Sequence, residues 1–189
     1  PLISEHDAEA TRLATERLQR FPAIFDAAYA AVMRAKLGLM RQDEKDENDR
    51  ALVADLLQRL ASNRVDYTVF FRELCVAAED PSADAHVASL FEQPGTFQAW
   101  AASWRRRLLN DEITPAARGS AMRRVNPAFI PRNHRVEAAL SAATEHGDFG
   151  PFEELLTVLS KPFEDQAAFT AYAEPPRPEQ RVYRTFCGT

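Results

Sequence analysis

Cysteine is scarce in this sequence: two in 189 residues, Cys75 and Cys187, far below the density at which a small secreted domain is stapled by disulfides. A reducing, cytoplasmic setting is the expectation. Glycine is scarce too, six residues in all, and none stands in a G-x-x-x-x-G-K-[ST] loop or a G-x-G-x-x-G turn, so no phosphate cradle is expected. The four histidines, His6, His86, His134 and His146, are scattered, with no His-x-x-x-His pair and no cysteine pair at ligand spacing, which argues against a metal held within this chain. No serine stands in a Gly-x-Ser-x-Gly elbow. No apolar run approaches the ~20 residues needed to span a bilayer, so a membrane partner is not expected. No repeat of fixed period is visible, which disfavours a solenoid. The opening "PLISEHDAEA" has neither an initiator Met nor the basic-then-apolar order of a signal peptide, so the sequence reads as a piece of a longer chain.

Strand signals are nearly absent as well, and helical spacing fills their place. In "DRALVADLLQRL" the residues Leu52, Val53, Leu56, Leu57 and Leu60 recur on one face of a 3.6-residue period. "TFQAWAASWRRRLL" repeats the pattern with Phe97, Trp100, Ala101, Trp104 and Leu108, and Thr96 is the expected cap behind Pro94-Gly95. "DYTVFFRELCVAAEDP" is read as a helix capped by Asp66 or Thr68, with Val69, Phe70, Leu74 and Ala77 inward. "SADAHVASLFEQPG" is a short helix, and "GPFEELLTVLSKP" puts Phe152, Leu155, Leu156 and Leu159 on a stripe between Pro151 and Pro162. Upstream, residues 5–37 read as one helix broken or kinked at Pro22, its apolar face continued by Phe21, Phe25, Tyr29 and Val32 up to Gly38. "RQDEKDENDR" is a charged loop or helix start; it lacks the central glycine and terminal Glu of a calcium loop. The expected fold is all-α, an irregular bundle of about eight helices over residues 1–173, followed by an extended Pro-rich tail over 174–189.

The net charge of −5 argues against a surface that binds nucleic acid throughout, so any basic function must be local. One segment is locally basic. Arginines 105, 106, 107, 118, 123, 124, 132 and 135 face only Asp111 and Glu112 between Trp104 and Arg135. Guanidinium forks suit phosphates or carboxylates. Two readings follow: arginines solvated or bridging to acids of the same domain, or arginines presented to an anionic or acidic partner. Within the segment, "NPAFIPRNH" is punctuation. Asn126 ends one helix, Pro127 and Pro131 prevent continuation, Asn133 caps the next, and Phe129 and Ile130 are core anchors. Cys187 near the chain end is an accessible thiol, whereas Cys75 on a Val/Leu/Phe face is inert filler.

Read in order, "MRAKLGL" (33–39), "LVADLLQRL" (52–60), "DYTVFFREL" (66–74), "WRRRL" (104–108), "MRRVNPAFIPRN" (122–133), "GDFGPFEELLTVLSKPF" (147–163) and the terminal "TFCGT" resemble the C-terminal part of the selenoprotein O family, the YdiU-type protein adenylyltransferases with a kinase-like fold. The resemblance implies a parent enzyme that transfers AMP from ATP, or UMP from UTP, to protein hydroxyls with Mg or Mn. It implies that the catalytic and nucleotide-holding residues belong to an upstream kinase-like core, so no catalytic, cofactor or metal residue falls on this chain. It also implies that the near-terminal position, here Cys187, forms a regulatory disulfide with that core. Arg123, Arg124, Arg132 and Arg135 then become the candidates for docking on the core, and the expected partners are that core and the parent's protein substrates. The alternative is a stand-alone helical module that presents the arginines to nucleic acid or phosphorylated partners; a thiol-dependent enzyme using Cys187 is a third.

Overall fold

The computed structural model describes residue 4, residues 6–41 and residues 47–182. Cys187 lies outside the described residues, as does the end of the tail. Among the described residues the chain forms nine α-helices and no strand: α1 (Asp7–Lys36), α2 (Glu47–Ser62), α3 (Tyr67–Glu79), α4 (Asp84–Ser89), α5 (Pro94–Leu108), α6 (Pro115–Arg123), α7 (Asn133–His146), α8 (Gly150–Leu159) and α9 (Thr170–Ala173). The all-α expectation therefore holds.

The main core is built by α2 to α6 and the last turns of α1. Val53, Leu56 and Leu60 of α2, and Phe97, Trp100, Ala101, Trp104 and Leu108 of α5, are all buried, as their spacing predicts. Phe70 sits at the centre, its ring edge-on to Phe71, Phe91, Phe97 and Trp100. Both indoles keep a polar partner while buried: Trp100 Nε1 donates to the Leu52 carbonyl at 3.0 Å and Trp104 Nε1 to the Leu37 carbonyl at 2.9 Å. A second, smaller cluster joins Ala128, Phe129 and Val158, with Leu159, Phe169, Tyr172 and Ala173 packed on it. The Pro162 carbonyl binds the two clusters' connecting segment by accepting from Ala128 N and Phe129 N, at 2.8 and 3.1 Å.

Two glycines permit close approaches. Gly38 ends α1 with φ +70°, and a Cβ there would lie 2.6 Å from the Met122 sulfur. Gly119 lies beneath the Glu79 side chain, and any Cβ would collide with it; the bare backbone lets α6 lie close on α3.

Several local expectations change. The helix at the N-terminal side runs unbroken through Pro22 for 30 residues. The proline ring removes one i to i−4 bond, a cost of about 3 kcal/mol, and the turns on both sides carry it. The face expected to enter the core does not: Phe21, Phe25, Tyr29 and Val32 are exposed, and only Met33 of α1 is buried, followed by Leu37 and Leu39. In α8 the buried positions are Leu155 and Val158, while Phe152 and Leu156 face outward. α5 starts at Pro94 with Gln93 in the cap position, three residues before the expected Thr96, because proline is favoured in the first turn. Asn133 is the first helical residue of α7 and Arg132 occupies the cap position, so the expected Asn133 cap does not form. Asp66 does cap α3, accepting from Val69 N at 2.9 Å.

Candidate functional site

The segment from Trp104 to Arg135 crosses the domain as a set of struts. Arg105 holds Asp84 through a two-pronged pair and also donates to the Ala77 carbonyl. Arg107 reaches Asp49 of α2, with Nε to Oδ1 at 2.7 Å and Nη2 to Oδ2 at 3.1 Å. Arg107 and Arg118 then meet on one carboxylate, Asp111, at 3.2 and 3.0 Å. The Asp111 side chain is only 2% exposed, and it also accepts from Met40 N (3.0 Å) and Arg41 N (3.1 Å). Arg118 completes the clasp by donating to the carbonyls of Gly38 and Leu108.

Of the four arginines proposed for docking, three are engaged within the domain. Arg123 makes a two-pronged pair with Glu79, Nη2 to Oε2 at 2.7 Å. Arg132 is buried; its fork holds both oxygens of Asp66, at 2.8 and 3.2 Å, and Nη2 also donates to the Ala173 carbonyl at 2.7 Å. Arg135 donates to the Ala171 carbonyl and lies over the Tyr172 ring. Arg132 and Arg135 thus come together at the start of α7, both gripping the chain around α9, while Arg123 stands apart at the end of α6, paired with Glu79 of α3. Arg124 is exposed, with Ser120 Oγ as its partner, and Arg106 is exposed too. The fifth nominated residue, Cys187, lies outside the described residues.

Asn126 is the residue whose role exceeds its reading as punctuation. Its backbone N closes the turn after α6 on the Met122 carbonyl, and its side chain, fully buried, reaches α1 and α3. Nδ2 donates to the Lys36 carbonyl at 2.9 Å and to Cys75 Sγ at 3.6 Å; Oδ1 accepts from Lys36 Nζ at 2.9 Å. Lys36 Nζ also lies over the Tyr67 and Phe71 rings. Arg72 adds bonds from α3 to the Asn126 carbonyl and to Asp165. Burial pushes the Cys75 thiol above its usual range, only partly offset by the Asn126 bond, and lowers the Lys36 ammonium. Cys75 is therefore a buried, protonated thiol at neutral pH, in keeping with its reading as inert filler. His134 is buried with Nδ1 unpartnered, and burial, then Arg135 and Arg132, lower its pKa, so its imidazole is neutral near pH 7.

Five of the eight arginines, 105, 107, 118, 123 and 132, thus meet carboxylates of this same chain. Sequence reasoning missed Asp49, Asp66 as a partner of Arg132, and the double grip on Asp111. One signal was available, since Asp111 and Glu112 are the only acids among eight arginines. Among the described residues no three His, Cys, Asp or Glu side chains gather where a metal could sit, and no helix is long and apolar enough to cross a membrane.

The same pairs set an acid limit. Burial opposes ionisation of Asp111, yet the Met40 amide, Arg118, the Arg41 amide and Arg107 together hold its carboxyl below the usual range. Asp66 is held low in the same way by Arg132 and Val69 N against its burial, and Glu79 by Arg123. A carboxyl depressed in the folded state contributes stability that is full above its unfolded value, about 4, and is lost as pH falls through the folded value. Asp111→Asn is expected to be less stable than wild type to urea near neutral pH, with the gap closing below about pH 4. A gap independent of pH would contradict the assignment.

Comparison with known proteins adds the family. The model of the protein adenylyltransferase SelO family matches residues 7–160. The protein nucleotidyltransferase YdiU of Rhodopseudomonas palustris is 46% identical over 188 residues, covering 100% of this chain and 38% of that protein. Those of Bradyrhizobium diazoefficiens and Methylorubrum populi are each 48% identical, over 189 and 195 residues, covering all of this chain and 38% and 39% of the relatives. The chain thus spans under two fifths of the length of the curated relatives it matches. With the family match running from the first turn of α1 to just past the end of α8, this chain belongs to the protein adenylyltransferase SelO family.

Proposed function

We propose that this chain is the helical C-terminal part of a protein adenylyltransferase, with a regulatory and scaffolding role, and that catalysis belongs to a kinase-like core upstream of Pro1. The observation that carries this reading is the pairing of a family match across residues 7–160 with coverage of only 38% of a relative named for nucleotide transfer. In this reading the core takes ATP with Mg or Mn and transfers AMP, or UMP from UTP, to hydroxyl side chains of other proteins in the cytoplasm. ATP and the metal would be held by that core. The arginine clasps described above support the scaffolding part, because they fix a rigid body against which another domain can rest.

The regulatory part rests on Cys187. In this reading its thiol joins a cysteine of the core, two thiols becoming one disulfide while two electrons pass to a disulfide oxidant such as oxidised glutathione. Cys75 is a poor partner for it, being buried among α3, α6 and the Asn126 amide.

Two measurements test the reading. ATP-dependent transfer of AMP to protein is expected from the polypeptide that includes the native upstream region and not from this chain alone; transfer by the short chain would overturn it. Peptide mapping of the longer protein after oxidation, without reductant, is expected to yield a cross-linked peptide containing Cys187. Recovery of Cys187 only as a free thiol would remove the redox claim while leaving the first intact.

A further inference from the structure

The largest feature left unexplained is the face of α1. Leu18, Phe21, Ile24, Phe25, Tyr29 and Val32 are exposed by 71, 61, 63, 54, 43 and 53%. Their spacing is that of a coiled-coil seam: Leu18, Phe21, Phe25, Ala28 and Val32 alternate at three and four residues, with Ile24 and Tyr29 flanking. The rings already stack along the helix, Phe21 on Phe25 and Phe25 on Tyr29, at centroid distances of 5.8 and 6.0 Å. The opposite side of α1 is charged, where Arg12 bridges Glu9 and Glu16. A helix that is polar on one side and apolar on the other has an inside, and here the described residues leave that inside largely uncovered. At its lower end the stripe runs into a cavity of about 290 Å³ between α1 and α2, where Tyr29, Met33, Val53 and Leu57 form apolar lining beside the charged Asp26 and Arg50. Contiguous apolar patches beyond a few hundred Å² are rare on proteins that act alone and mark interaction surfaces.

We infer that this face is the seat of the upstream kinase-like core, which lies along α1 and inserts an apolar side chain into the α1/α2 cavity. The inference rests on the reading of this chain as part of a longer enzyme. Two observations select that occupant. The relatives are more than twice as long as the stretch this chain matches, so a large partner surface exists in the same polypeptide. In that polypeptide it would join at Pro1, six positions before Asp7, and a partner tethered that closely reaches an effective concentration of order millimolar. The arginine segment, by contrast, is turned to internal carboxylates. Docking thereby moves from the guanidinium groups nominated by the sequence to an apolar stripe, with exposed Arg124 and Arg106 left for any rim.

The test is hydrogen exchange across residues 18–32, measured in this chain and in the protein with its upstream region, each as wild type and as Phe21→Glu/Phe25→Glu. Since both rings are exposed, the double substitution is expected to leave the unfolding midpoint of the short chain unchanged. In the longer wild type exchange should slow by on the order of tenfold or more relative to the short chain, and the double substitution should return it to the short-chain rate. Equal exchange in the short and long wild-type proteins would overturn the inference. So would sedimentation showing that the short chain dimerises through these residues and that protection in the longer protein depends on concentration. Loss of AMP transfer in every long protein would count against the proposed function and leave the exchange result readable.

Discussion

A single buried carboxylate, Asp111, organises the main body of this domain. It receives the guanidinium groups of Arg107 and Arg118 and the backbone amides of Met40 and Arg41, so all its charge is matched inside the protein. Through these contacts the end of α1, the segment leading to α2, the last turn of α5 and the first half of α6 are held at one point. Asp49 extends the set to α2 through Arg107. Leaving any of these charges without its partner would be costly, since an uncompensated buried charge destabilises by several kcal/mol. The turn at Gly38 follows from the same constraint. Its carbonyl accepts from Arg118 while Met122 packs where a side chain would otherwise stand.

Asp66 performs a comparable task for the smaller half. One oxygen caps α3 through Val69, and both oxygens receive Arg132, which also holds the Ala173 carbonyl. α3, α7 and α9 are thereby linked, and Asn126 ties the junction before α7 back to Lys36 and Cys75. The stretch "MRRVNPAFIPRN" reads in physical terms as a rigid junction. Its arginines, its asparagine and its Pro162-bonded backbone fix the direction of the chain between two hydrophobic clusters.

The helices were legible because their signals are local. The period of Leu52 to Leu60, or of Phe97 to Leu108, is written along one element, and the Asp66 cap needs only its own turn. What sequence could not supply was which distant charges meet. Arg107 and Asp49 are 58 positions apart, and Arg132 and Asp66 are 66 apart. A guanidinium destined for such a partner has the same local pattern as one destined for a nucleic acid. Apolar periodicity failed in the complementary way at α1 and α8. Phe21, Phe25, Phe152 and Leu156 announce a buried face, but periodicity does not say whether the covering surface belongs to the same domain.

The central claim is that the arginine segment holds the fold together through shared buried carboxylates, Asp111 foremost. A double-mutant cycle tests it directly: urea unfolding of wild type, Asp111→Ala, Arg118→Met and the double variant, followed by the fluorescence of Trp100 and Trp104. The account predicts strong coupling, on the order of 2 kcal/mol, with the double variant less destabilised than the sum of the single ones. Additive losses would show that the two residues act independently and would contradict it.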